Sequence, residues 1–187
     1  MFIHTKIDRE ACHNNLAPTT SSTCHLAIGD AIAMTLQKIK GFTPQDFSKY
    51  HPYGNLGKKL SLTVNNLIDK NRKPYVELST SFLEIIDEIS SNLYGATAVI
   101  QDNIIVGVIT DGDIRRVIEK KQNIERISAS DFMNKNPKIM IGNTLAIDAL
   151  KHMKENSISQ VLIIDSSNVY LGIVHILDII KEGINNE

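Results

Sequence analysis

The residues of this 187-residue chain most suited to chemistry lie in Gly107-Val108-Ile109-Thr110-Asp111-Gly112-Asp113. An apolar run ends there and a helical one begins. The first backbone N–H groups of that helix face outward without partners, an arrangement that attracts an anion. Thr110 adds a hydroxyl, Gly112 permits close backbone approach, and the Asp113 carboxylate can accept from two hydroxyls. Threonine and aspartate are also favoured helix caps, so a purely structural reading of Thr110 and Asp113 stands beside the binding one. Cys12-His13 and Cys24-His25 supply four nitrogen and sulfur donors, enough for zinc. Their spacing matches no common zinc pattern and the second pair sits at a helix start, so no metal site is expected. Nothing resembles a Ser–His–Asp constellation. Glu10 and His51, taken alone, read as a surface charge and a turn residue before Pro52.

The elements that position the Gly107 motif occur twice. Gly107 to Ile114 returns as Gly172-Ile173-Val174-His175-Ile176-Leu177-Asp178-Ile179, 65 residues on. Asn66-Leu67-Ile68 returns as Asp131-Phe132-Met133, again at 65. The runs from Ser81 and Ala98 return at 64, and one extra residue near Ser166-Ser167 accounts for the step. Each copy reads as helix, strand, polar turn, strand, helix. Thr80 and Thr144 precede the first helix of each copy, and Thr144 is the expected cap of Ala146, Ile147, Ala149, Leu150 and Met153. The last helices are expected to start at Asp113 and Asp178. A unit of this size buries little surface alone, so the copies are expected to pack as one pair. The fold class is α+β.

Residues 1–60 form a different element. Ser22 or Thr23 is the expected cap of a helix bearing Leu26, Ala27, Ala31, Ala33, Met34 and Leu36. That set is nearly continuous and predicts a buried helix. Gly41 ends it, and Thr43 and Pro44 open the next. Composition narrows the function class. The formal net charge of −1 gives no field for nucleic acid or an anionic membrane. Tryptophan is absent, which removes one stacking platform for single strands. No apolar run reaches the length of a membrane span, and the first ten residues carry charges without an apolar stretch. Two cysteines make no disulfide framework. A cytoplasmic protein is expected. Lys58-Lys59 reads as a solvated face. Arg115 or Arg116 could instead pair with an anion near Thr110.

The repeat resembles the CBS repeat, and two in tandem resemble the CBS pair, carried by the glycine, two apolar residues, Thr110, two residues and Asp113. The resemblance implies ligands in clefts between the repeats, most often adenine nucleotides. Gly107, Thr110, Asp111 and Asp113 would form one site, with Thr110 near phosphate and Asp113 on ribose hydroxyls. His175 and Asp178 would form the other, but His175 in place of threonine departs from the pattern, so at most one good nucleotide site is expected. Upstream, Glu10-Ala11-Cys12, Leu16-Ala17-Pro18-Thr19, Ser22-Thr23, Gly29-Asp30-Ala31, Gly41-Phe42-Thr43 and His51-Pro52 resemble the end of the SIS (sugar isomerase) domain of arabinose 5-phosphate isomerases. That family interconverts D-arabinose 5-phosphate and D-ribulose 5-phosphate, which leads to Kdo and lipopolysaccharide.

The resemblance divides the chain into 1–60, an SIS remnant, 61–121, the first CBS repeat, and 126–184, the second. It places Glu10 and His51 among the catalytic residues, since moving a proton between C1 and C2 needs positioned acids and bases. His13 and Tyr53 depart from its pattern, and Tyr53 is expected to crowd the loop beside His51. The family's other catalytic residues and its sugar-phosphate loops lie upstream. This chain alone is therefore expected to be inactive, as a shortened chain, a split gene product or a degraded gene. The sugar phosphate would be a partner only of a full-length parent. The other partners implied are a nucleotide or CMP-sugar and a homo-oligomer through CBS pairs; no cofactor, nucleic acid or membrane is expected. A stand-alone nucleotide sensor and an assembly module without ligand are the competing readings.

Overall fold

The computed structural model describes residues 3–52, 54–120 and 123–185. They fall into two compact units, Met1–Tyr50 and His51–Glu187. Tyr53 lies outside the described residues.

The first unit holds α1 (Thr20–Lys40) and α2 (Pro44–Tyr50). α1 ends on Gly41 at φ 61°, whose N–H returns to the carbonyls of Gln37 and Lys38, as a left-handed C-cap requires. Thr43 caps α2, its hydroxyl accepting from the Asp46 N–H at 3.1 Å. Two expectations fail here. α1 starts ahead of Ser22, because its orphan N–H groups are taken by a side chain from upstream, described below. It is also not buried: no residue of α1 is enclosed, and Leu26 is 68% exposed and Met34 57%. Beyond α1, the described residues of this unit form a seven-residue helix and an irregular segment, too little apolar surface to wrap 21 residues of helix.

The second unit opens with α3 (Asn55–Ser61), held by Lys58 Nζ to Glu182 Oε2 at 2.8 Å rather than left as a solvated basic face. Two copies of one motif follow. The first contains β1 (Tyr75–Glu77), α4 (Phe82–Asn92), β2 (Ala96–Gln101), β3 (Ile104–Thr110) and α5 (Asp111–Glu119). After the short α6 (Ala129–Phe132) the second contains β4 (Ile139–Ile141), α7 (Ala146–Glu155), β5 (Gln160–Ile164), β6 (Tyr170–His175) and α8 (Ile176–Lys181). In each, the short leading strand pairs parallel to the middle strand, and the middle strand pairs antiparallel to the last. β1 and β4 escaped the sequence reading because three residues give too little alternation to register.

The helix starts also differ from expectation. Ser81, the residue after Thr80, caps α4, in a box with Glu84. Leu145, not Thr144, occupies the cap of α7. α5 and α8 begin at Asp111 and Ile176, two residues before the expected positions, because Asp113 and Asp178 act from the third helical position on the caps Thr110 and His175.

One face of each sheet packs on its helices. The other faces meet, joining Ala96, Ala98, Leu162, Tyr170 and Ile173. That is why β2 is buried along most of its length instead of alternating. Among the described residues, Thr97 Oγ1 is buried without a hydrogen-bond partner. Its repeat equivalent is Val161. An unpaired buried hydroxyl costs about 1–3 kcal/mol, and valine matches the shape of threonine without it. Thr97→Val should therefore raise stability by roughly 1 kcal/mol, read from the urea midpoint at unchanged slope. A lower midpoint would show that the hydroxyl is satisfied.

Candidate ligand cleft between the repeats

β3 delivers Thr110 to the start of α5, where a cleft of about 430 Å³ opens between the repeats. Thr110, Asp111 and Gly112 form one wall. Asn134, Asn136 and Lys138 come from the segment ahead of β4, and Ser159 and Gln160 from the start of β5. Ala96, Val108 and Leu162 give an apolar floor. An apolar floor with a few convergent polar groups, one cation and a helix N-terminus suits a flat ligand carrying an anionic group.

The expected residues divide. Thr110 and Asp111 line the cleft; Asp113 and Gly107 do not. The Thr110 N–H and hydroxyl donate to Asp113 Oδ2 at 2.9 and 2.6 Å, and Arg116 pairs with Asp113 Oδ1. Both carboxylate oxygens are thus committed, and the residue is nearly buried. The cap reading of Asp113 describes its geometry, and Asp111, exposed at the first helical position, is the carboxylate open to a ligand. Arg116 serves this box, while Arg115 is exposed and outside the cleft lining.

Gly107 has a packing role. A Cβ there would meet Met133, and one at the equivalent Gly172 would lie 2.8 Å from Ile68 Cγ2. The sequence reading missed Asn134, Asn136, Lys138, Ser159 and Gln160. The polar, proline-broken stretch before β4 was the available signal. A larger groove of about 590 Å³ beside β1 is lined by Lys73, Glu77 and Tyr170 among others, but has neither a helix start nor the repeated motif.

A family model described as "CBS domain" matches residues 67–120 and 129–185, more than half of the chain. The chain belongs to the CBS-domain family. Its CBS pair superposes with a TM-score of 0.57 on a CBS domain protein from Pyrobaculum aerophilum complexed with AMP, at 17% identity, covering 63% of this chain and 89% of that one. A CBS pair solved with 5-methylthioadenosine and S-adenosyl-L-methionine gives the same score at 18% identity, covering 64% and 97%. At such identities the likeness is one of fold, and it agrees with the expected α+β pair. Over 96% of its length the chain is 40% identical to arabinose 5-phosphate isomerase KdsD of Francisella tularensis. It spans 55% of that relative, consistent with the C-terminal part.

Outside the CBS pair, Glu10 and His51 fall in different units. The Glu10 carboxylate collects the start of α1. Oε2 accepts from the Thr19 N–H at 2.7 Å and the Ser21 N–H at 3.2 Å, and Oε1 accepts from the Ser21 hydroxyl. The Ser21 hydroxyl first, then the Thr19 N–H, hold its pKa down to about 2. His51 is exposed, and its carbonyl lies against Gly57, where any Cβ would collide with it. Cys12 Sγ accepts from the N–H groups of Leu16 and Ala17, and no cluster of three metal-ligating side chains occurs among the described residues. Nor is any described helix long and apolar enough to cross a membrane.

A carboxylate with a depressed folded-state pKa contributes order above its ordinary value, near 4.5, and loses it as pH falls through about 2. Amide protection at Thr19 and Ser21, followed by hydrogen exchange, should therefore be constant above pH 5 and fall between about 4.5 and 2. Glu10→Gln should remove that pH dependence. Protection unchanged down to pH 2 would rule out this cap.

Proposed function

We propose that the chain is the C-terminal, regulatory part of a D-arabinose 5-phosphate isomerase. Residues 1–60 are the end of its sugar-isomerase domain, and 61–121 and 126–184 are the two CBS repeats. The CBS pair senses a nucleotide or nucleotide-sugar in the cytoplasm, with no resident cofactor. The cleft at the start of α5 is the observation that carries this reading. It joins the Gly112 N–H at the helix start to Lys138 for a phosphate, while the Asp111 N–H is held by the Gly95 carbonyl and the Thr110 donors and Asp113 N–H are engaged in the Thr110–Asp113 cap. Asp111 and the asparagines are available for hydroxyls, and Val108 and Leu162 for a flat ring. A biosynthetic parent would gain feedback if a product such as CMP-Kdo bound there.

The chain itself does not isomerise. The positions that match the family's catalytic pair, Glu10 and His51, are two of several groups the reaction needs. Here Glu10 is engaged by four hydrogen bonds, which hold it ionised and weakly basic. Assembly is the second reading, favoured by the uncovered apolar side chains of α1. In that reading the first unit docks on sugar-isomerase subunits and the CBS pairs form a homo-oligomer.

The deciding experiment is calorimetric titration of the 187-residue chain with AMP, ATP and CMP-Kdo. Saturable binding of at least one is expected. Lys138→Ala should weaken it about tenfold, ~1.4 kcal/mol, at unchanged melting temperature. Asp113→Ala is a poor control, because it dismantles the α5 cap as well. No binding of any of the three would leave assembly as the function. In a coupled assay on D-arabinose 5-phosphate the chain should not exceed background; turnover would overturn the regulatory assignment.

A further inference from the structure

Pseudo-symmetry implies a second cleft, at the start of α8. Its walls would be His175, Ile176 and Leu177 with the segment ahead of β1. The residues around that space differ from those of the first cleft. Position 158, on the rim of the first cleft, is isoleucine; its equivalent is Tyr94, which is only 7% exposed and packs with Ala98, Leu162 and Ile173. The floors differ accordingly. Val108 lines the first cleft and is partly exposed, whereas its equivalent Ile173 is 0% exposed.

Arg72 closes the assembly from above. Its guanidinium carbon lies 5.5 Å from the centre of the Tyr94 ring, a cation–π distance. Arg72 Nε donates to Asp69 Oδ2 at 2.9 Å, and an Nη1 hydrogen bond reaches the Asn92 carbonyl at 3.3 Å. Gln160 Nε2 donates to the Tyr94 carbonyl at 2.7 Å and fixes the backbone. Gln160 is also the register partner of His175, so Tyr94 lies beside the very motif a second ligand would use, and burial there raises its pKa against the opposing effect of Arg72.

The segment supplying Arg72 differs too. The Ala98 N–H binds the Pro74 carbonyl where the Leu162 N–H binds that of Lys138, so proline stands in the place of the first cleft's cation. Asp69 matches Asn134, and the stretch to Pro74 is one residue longer than that from Asn134 to Lys138. The added length carries the arginine.

We infer that the CBS pair holds one ligand, not two, because Tyr94 beneath Arg72 occupies the pseudo-symmetric cleft as a built-in plug. The ligand count rests on the binding proposed above; the closure does not, and it is tested separately. In a Cys12→Ser/Cys24→Ser background, Val108→Cys and Ile173→Cys report on the two floors through their rates of reaction with a small thiol reagent. Val108→Cys should react at least about tenfold faster. Adding Tyr94→Ala, or the milder Tyr94→Ile that copies position 158, with Arg72→Ala should bring Ile173→Cys close to it. Thermal melts identify variants still folded. Equal rates in the parent protein, or no acceleration in a folded plug variant, would overturn the closure. AMP titration should give one site in the parent and two in the plug variant. Two sites in the parent would overturn the inference. No AMP binding in either would reject the proposed ligand while the labelling result still decides the plug.

Discussion

The structure depends on an exchange of leading segments between the two repeats. Residues 62–68 open the first repeat but pack into the second: Val64 is fully buried with Ala149, Leu150, Met153 and Val174, and its N–H binds the Thr144 carbonyl. Residues 127–133 open the second repeat but pack into the first: Ala129 is buried with Val76, Ile85 and Ile109, and its N–H binds the Thr80 carbonyl. Each half-core is therefore completed by chain leading into the other. Neither repeat can detach without opening both cores, which makes the pair the cooperative unit. Gly107 and Gly172 are the contact points of this exchange, kept small so that Met133 and Ile68 can cross the last strands. The glycine that opens the conspicuous motif is thus explained by packing.

The exchange also sets the cleft. Because residues 127–133 are anchored on the first repeat, Asn134 hydrogen-bonds in both directions with Val108, and the chain then crosses to β4 beside the start of α5. Asn136 and Lys138 are carried past the α5 N-terminus as a consequence. Their position follows from where the segment is tied down, and a ligand there would touch both repeats together. A ligand bridging the repeats stabilises the closed pair in proportion to its occupancy, the elementary requirement of a sensor.

Much of this was legible in the sequence. The doubling of Gly107 to Ile114, the apolar stripe of α7 and the β-branched runs of β2, β3, β5 and β6 identified the pair and its class. They are long, strongly periodic features whose burial follows from their pattern. Cap positions were less legible because threonine, serine and aspartate crowd the helix starts, and the choice among them depends on which side chain turns back. Glu10 is the clearest case. It caps α1 from nine or more residues upstream, a long-range contact that local propensity cannot register. The buried helix expected over α1 failed for a related reason, since an apolar composition states what a helix could bury and not whether a partner is present. In the cleft, Thr110 and Asp111 were legible from the motif, whereas Lys138 and Gln160 arrive through tertiary packing.

The resemblance between the repeats conceals an inequality of chemistry. Both use one capping device, a residue at the last strand's end closed by an aspartate three positions on, Thr110 with Asp113 and His175 with Asp178. Helix initiation fixes those aspartates, so they hardly distinguish a binding repeat from a non-binding one. Distinction must come from residues that the fold leaves free, and those have diverged: Lys138 against Pro74, Ile158 against Tyr94, Val108 against Ile173. In each comparison the residue at the first cleft leaves space or charge, and its counterpart fills space or is sealed beneath it. A motif search weighs the shared glycine and aspartate and finds two sites. Space and charge separate them: the first copy borders an open cleft, and the second lies beside an aromatic side chain packed between the sheets.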